Sequence, residues 1–169
     1  MSQSINLYKQ LANHKLFNKS VNFGLKRIKL ALALLGHPEK KLKNVISVVG
    51  ESGKFTTLFS LKSFIEASNQ NVTTHISPSL RDIRERFYMG DKYLSHKEIK
   101  KTIKQIEKLN IPLTIFECLT LVYIINASKI NVDYNIQETG ALWRLDSNNI
   151  HDFPKIQICT NINLSLIHI

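Results

Sequence analysis

The 169-residue sequence is poor in cysteine, in long apolar runs and in acidic side chains, and each shortage removes a class of protein. Two cysteines, Cys118 within an apolar helical pattern and Cys159 in an expected strand, offer neither a metal spacing nor a disulfide framework, so both are expected to be core thiols. The longest apolar run, Cys118 to Ala127, is broken by Thr120 and Asn126 and falls well short of the roughly 18 to 20 residues a membrane helix needs. Met1 to Leu7 lacks the basic start and unbroken apolar stretch of a secretion signal. A cytoplasmic chain with no membrane partner is the expectation. The acidic shortage, 13 Asp and Glu against 23 Lys and Arg, leaves a formal charge of +10 and raises nucleic acid as a partner. The charge pattern argues against it: Lys97, Lys100, Lys101, Lys104 and Lys108 alternate with Ile99, Ile103, Ile106 and Leu109 as on the wet face of a helix. Lys26, Arg27 and Lys29 relate in the same way to Leu25, Ile28, Leu32 and Leu35. No nucleic-acid partner and a monomeric state are expected.

With 43% hydrophobic residues there is material for one packed domain, and no repeat or low-complexity linker divides it. Asn22 is placed to cap an apolar-periodic helix that stops at Gly36 and Pro38. Val45 to Val49 is a short β-branched run of the kind buried in a parallel sheet. From Lys54 a helical pattern carries Leu58, Leu61, Phe64 and Ile65, ending at Asn69 to Asn71, and Val72 to Ile76 reads as the next strand. A charged extended segment runs from Arg81 to Met89. Ser95 with Glu98, and Thr114 with Glu117, have capping-box spacing and predict helices to about Leu109 and Ala127. Val132 to Ile136 and Lys155 to Ile158 complete an alternation that predicts an α/β fold, a mostly parallel sheet flanked by helices.

Between the strand ending at Val49 and the helix beginning at Lys54 lies Gly50-Glu51-Ser52-Gly53-Lys54-Phe55-Thr56-Thr57. A glycine-rich turn here exposes backbone N–H groups where the helix dipole also favours anions. The standard phosphate loop needs glycine five positions before the Gly-Lys pair and Ser or Thr directly after it, and Val48 and Phe55 hold those places. The shorter pattern Gly-x-x-Gly-Lys-x-[Ser/Thr]-Thr does fit, with Lys54 reaching the β/γ-phosphates and Thr56 or Thr57 bonding phosphate or Mg2+.

That shorter loop resembles the one in Mur-type ligases, and its surroundings resemble the folylpolyglutamate synthase / dihydrofolate synthase family. Phe23-Gly24-Leu25-Lys26-Arg27-Ile28 and Leu35-Gly36-His37-Pro38 are similar to that family's opening helix, and Ser77-Pro78-Ser79-Leu80 through Glu85-Arg86 to its Ser-Pro-His-Leu segment. Thr114-Ile115-Phe116-Glu117 and Glu138-Thr139-Gly140 through Arg144-Leu145-Asp146-Ser147-Asn148-Asn149 supply two more matches, all in order. The resemblance implies a Mur-ligase-like ATPase domain that uses ATP and Mg2+ to join L-glutamate to dihydropteroate or a folate. It implies Gly50, Ser52, Gly53, Lys54, Phe55, Thr56 and Thr57 at ATP, with Lys54 catalytic, and Ser77 and Glu138 as magnesium ligands. It implies Asn22, Phe23, Gly24, Thr114, Ile115, Phe116, Glu117, Leu145, Asp146 and Ser147 at the pterin-bearing substrate. Plainer readings stand beside these: Glu117 as a capping-box acid, Ser77 as a strand end, and Asp146 paired with Arg144 on the surface.

The chain departs from the family pattern at Phe55, Leu142 and Trp143, each replacing glycine, and at Glu51, Ser52, Asn22 and Ser79. After Leu164 the family continues Asp-His, where Ser165 and Leu166 stand and His168 comes two positions late. The expected organisation is therefore an amino-terminal helical segment (1–43), a partial ATP-binding domain (44–164) and an unrelated tail (165–169), without the carboxyl-terminal ligase domain and with little activity alone. Other phosphate-loop enzymes, a basic nucleic-acid-binding module and a degenerate domain are the alternatives.

Overall fold

A computed structural model of the chain describes residues 2–14, 17–18, 24–140 and 143–161. Along these residues the order is α1 (Ser2–Asn13), β1 (Phe17–Asn18), α2 (Lys26–Leu34), β2 (Val45–Val49), α3 (Lys54–Ala67), β3 (Val72–His75) and β4 (Phe87–Met89). There follow α4 (His96–Glu107), β5 (Leu113–Thr114), α5 (Ile115–Ala127), β6 (Tyr134–Glu138) and β7 (Ile156–Cys159). The main sheet has the order β4-β3-β6-β2-β7, with β4 antiparallel to β3 and the other pairs parallel. Every residue of β2 is buried, as a β-branched run between two parallel neighbours and two covered faces should be.

The two faces are covered unequally. On one side α3 lays Leu58 and Ile65 over Ile46, Val48, Val72 and Ile136. The other side carries the larger cluster, in which α5 is buried around most of its circumference by α1, α2, α4 and the sheet. Beneath α5 a polar network is fully paired: Thr73 Oγ1 lies 2.7 Å from Tyr123 Oη and donates to Asn135 Oδ1 at 2.7 Å, while Asn135 Nδ2 donates to Lys43 O at 2.7 Å. Pairing of this kind is what makes a buried hydroxyl tolerable. Both capping boxes form: Glu98 N–H donates to Ser95 Oγ at 3.2 Å, and Thr114 N–H donates to Glu117 Oε2 at 2.7 Å.

Several expectations are corrected. Helix α2 starts at Lys26 with Leu25 as its N-cap, later than an Asn22 cap would start it, and Asn22 and Phe23 lie outside the described residues. The segment from Arg81 to Met89 is not extended throughout, because Asp82 and Glu85 form a third capping box and wind Ile83–Arg86 into a 3-10 turn before β4. Strand β6 runs two residues further on than Val132 to Ile136. Phe64 is 71% exposed, since it falls off the arc shared by Leu58, Leu61 and Ile65 when α3 is wound at 3.6 residues per turn. Cys159 is exposed because β7 forms the edge of the sheet, whereas Cys118 is buried as expected. The five lysines of 97–108 are exposed, but Arg27 is turned inward, its Nη2 3.1 Å from Glu117 Oε1. No helix among the described residues is long and apolar enough to cross a membrane.

Candidate active site

Open α/β sheets gather ligands where parallel strands end, and here the carboxyl ends of β2, β3 and β6 deliver Gly50 to Lys54, Ser77 and Glu138 to one place. The loop after β2 is shaped by two glycines. Gly50 has φ +128°, and a Cβ there would collide with Thr160 Oγ1. Gly53 has φ +84° at the N-cap of α3 with open space around it, so its requirement is conformational alone. The loop is closed from behind by the segment after β7: Glu51 N–H donates to Asn161 O at 3.0 Å, and Thr160 Oγ1 donates to Val49 O at 3.0 Å.

Lys54 folds back over this loop, donating to Gly50 O at 2.7 Å and to Glu51 O at 3.3 Å. Its Nζ stands 4.0 Å from Glu138 Oε1, an ion pair too long for a hydrogen bond. The other oxygen, Glu138 Oε2, accepts from Ser77 N–H at 3.1 Å, so the two residues expected as metal ligands do meet. Burial pushes the Glu138 carboxyl above the usual range, against the lowering pull of the Ser77 amide, Lys54 and Arg86. Asp146 is raised in the same way by burial, opposed by the amides of Asn148 and Gly140 and by Lys54. The Lys54 and Arg86 charges act on the buried Glu138 carboxyl and Lys54 also on the half-buried Asp146, so the acids and bases here balance, and Glu138 remains a hard oxygen donor of the kind a hard cation takes. Glu138 and the Ser77 hydroxyl are oxygen donors of the right type. Among the described residues no group of three or more His, Cys, Asp or Glu side chains is placed to hold a metal, so a cation here would also need oxygens from phosphate or water.

The residues expected around a pterin are less uniformly placed. Asp146 does not pair with Arg144: its Oδ2 accepts from Gly140 N–H at 3.0 Å and its Oδ1 from Asn148 N–H at 2.8 Å, bracing the turn after β6. Ser147 is buried with its Oγ 2.7 Å from Thr120 Oγ1. Glu117 is 3% exposed and combines the capping bond with the Arg27 pair. Phe116 stacks toward His75, centroids 6.4 Å apart, and Leu145 is 49% exposed. Phe55, which replaces a family glycine, packs on Phe59 one turn along α3, with centroids 4.4 Å apart. Leu142 lies outside the described residues.

Asn148 and Arg86 were given no role by the sequence, although both fall inside the quoted motifs. Asn148 Nδ2 donates to Glu138 O at 2.9 Å and its Oδ1 lies 3.3 Å from His75 Nδ1, joining the ends of β3 and β6. Arg86 is 7% exposed and acts electrostatically on both Glu138 and His75.

A shortened phosphate loop on a mostly parallel sheet, with Val48 fully buried where a standard loop would have glycine, defines an α/β domain of the Mur-ligase type. No family model matches the chain. It is 31% identical over 148 residues to dihydrofolate synthase/folylpolyglutamate synthase of Bacillus subtilis, covering 82% of this chain and 34% of that protein. With the Escherichia coli protein of the same name it shares 32% identity over 151 residues, 88% of this chain and 35% of the relative. The solved structure of E. coli FolC in complex with DHPP and ADP superposes with a TM-score of 0.84 at 31% identity, covering 96% of this chain and 39% of that one. A bifunctional folylpolyglutamate synthase/dihydrofolate synthase with Mn, AMPPNP and L-glutamate bound gives a TM-score of 0.80 at 31% identity, over 87% and 36%. The chain belongs to the folylpolyglutamate synthase / dihydrofolate synthase family, and it spans about a third of the length of the curated relatives it matches.

Proposed function

We propose that this chain carries the nucleotide-phosphate and cation part of an ATP-dependent ligase that joins L-glutamate to dihydropteroate or a folate. The observation that carries the reading is the meeting of the Gly50 to Lys54 loop, Ser77 and Glu138 at the carboxyl ends of three strands. In the reaction the substrate carboxylate takes the γ-phosphoryl group of ATP, releasing ADP. The amine of glutamate then attacks the acyl phosphate, forming the amide and expelling phosphate.

The first intrahelical bond of α3 runs from Thr57 N–H to Gly53 O at 2.9 Å, which leaves the amides of Lys54, Phe55 and Thr56 outside the helix ladder, where the helix dipole favours phosphate, and assigns Thr57 to the ligand through its hydroxyl, with Gly50, Ser52 and Gly53 lining the loop. Lys54, already aligned by two loop carbonyls, supplies the positive charge that the transferred group needs. Ser77 and Glu138 would hold Mg2+, which supplies charge neutralisation between the phosphates. Phe116, Leu145 and Asp146 are assigned to the pterin side together with Asn22, Phe23, Gly24, Thr114 and Ile115. Glu117 and Ser147, both buried and paired, support that wall from behind.

Isothermal titration with MgATP tests the phosphate site. The wild-type chain should bind, and Lys54→Ala should weaken binding by about tenfold or more, the loss expected for removing a charge-assisted contact. No heat at millimolar MgATP, or binding indifferent to Lys54→Ala, would exclude the assignment.

A further inference from the structure

The segment joining β3 to β4 is braced from within. Ile76 N–H donates to Arg86 O at 3.3 Å across its base, and Glu85 gathers the amides of Leu80, Arg81 and Asp82 at 2.8, 3.2 and 3.2 Å. Three side chains from elsewhere in the fold tie it down, one of them His96 of α4, whose Nε2 lies 3.3 Å from Asp82 Oδ1. Glu138 is another, accepting from Ser77 N–H, as described above. The third is Tyr8 on α1, whose Oη lies 2.9 Å from Ser79 Oγ and accepts from Arg86 Nε at 2.8 Å. Tyr8 thus joins the beginning of the segment to its end, from a helix anchored in the main core by Leu7 and Leu11, 3% and 2% exposed. Because Arg86 donates to the phenol oxygen, the phenol proton is available to Ser79. Arg86 Nη1 is buried and has no hydrogen-bond partner among the described residues, so its bond to Tyr8 is one of few constraints on that guanidinium.

We propose that Tyr8 is a positioning residue for the cation site: through Ser79 it holds the Ser77 to Ser79 turn so that Ser77 stays against Glu138, where its hydroxyl can share a cation with that carboxylate. The inference rests on the reading of Ser77 and Glu138 as cation ligands. A hydroxyl ligand is aimed by its backbone, and with Tyr8 removed the Glu138 bond would be the one side-chain tie from outside left on residues 77–79 among the described residues, which loosens the turn. Partners behind the first ligands set ligand orientation and with it metal affinity.

The test uses Ser79→Ala, which cuts the tie but leaves Arg86 bonded to Tyr8, and Tyr8→Phe, which cuts both. Mn2+ binding in the presence of AMPPNP is followed by the electron paramagnetic resonance signal of free Mn2+, AMPPNP binding is measured separately in EDTA, and amide exchange is measured without ligand. Both variants should weaken Mn2+ by about tenfold, the lower end of what such partners contribute, while leaving AMPPNP in EDTA within about twofold. The Ser77 and Ser79 amides should exchange faster in both. Unchanged Mn2+ affinity, or parallel loss of Mn2+ and metal-free AMPPNP binding as a general loosening would give, overturns the proposal. A wild-type chain that binds neither probe overturns the nucleotide-site reading itself, and this inference with it.

Discussion

The two glycines of the phosphate loop are required for different reasons, and alanine at each should show it. At Gly53, φ +84° is left-handed but nothing lies within 4 Å of a Cβ, so Gly53→Ala should cost only the backbone penalty of about 1–2 kcal/mol. At Gly50, φ +128° lies beyond the left-handed basin and carries about 1–3 kcal/mol of strain by itself. The new methyl would also strike Thr160 Oγ1, breaking its bond to Val49 O and adding about 1 kcal/mol. Gly50→Ala should therefore destabilise by about 3 kcal/mol. Urea unfolding of both variants, repeated in a Thr160→Ala background, separates the causes. Thr160→Ala should relieve Gly50→Ala by about 1 kcal/mol and leave Gly53→Ala unaffected. Equal losses at the two glycines, or no coupling between Gly50 and Thr160, would refute the argument that the strand end after β7 closes the loop.

Two more outcomes follow from burial. Burial first, and the Arg86 charge second, hold the His75 imidazole down to about 3, against 6.5 ordinarily. Below pH 6.5 the unfolded chain takes a proton that the folded chain refuses, so stability contributed by neutral His75 is present above 6.5 and is lost as pH falls toward 3, by about 2 kcal/mol at pH 5. Replacing His75 with Phe should make the pH 7 to 5 stability loss smaller by that amount, and an identical loss in both proteins would refute it. For the thiols, Cys159 is exposed and Cys118 is buried with its pKa raised by burial, so iodoacetamide should label one cysteine in the folded protein and two in urea, as read by mass spectrometry.

The elements legible in the sequence are those written in local signals. Strand β2, the turn into α3 and the capping boxes of α4 and α5 each depend on residues within four positions of one another. The 3-10 turn before β4 carries a capping signal too, Asp82 with Glu85, but the charged residues around it hide the apolar period that would mark a helix. Phe64 is apolar but lies off the buried arc of α3, which shows only when the residues are wound on the helix. The other misses are long-range. That β7 lies at the edge, that Arg27 reaches Glu117 ninety positions away, and that Asp146 holds backbone amides in place of Arg144 are consequences of tertiary packing. At the candidate site the motif order brought Lys54, Ser77 and Glu138 to notice, but the bracing by Tyr8, Asn148, Thr160 and Asn161 has no local signature.

The lysine of the phosphate loop is bonded to Gly50 and Glu51 carbonyls of that same loop, and the loop is pinned from behind by Asn161. Its curvature is thus a property of the folded chain and does not wait for an anion. The entropy lost in ordering those residues is charged to folding, and on the proposed reading a phosphate would meet a loop already shaped, so its affinity would be spared the penalty of shaping the site. Selection for tight nucleotide binding would then act through the stability of the strand ends around the loop as much as through the atoms that touch the ligand.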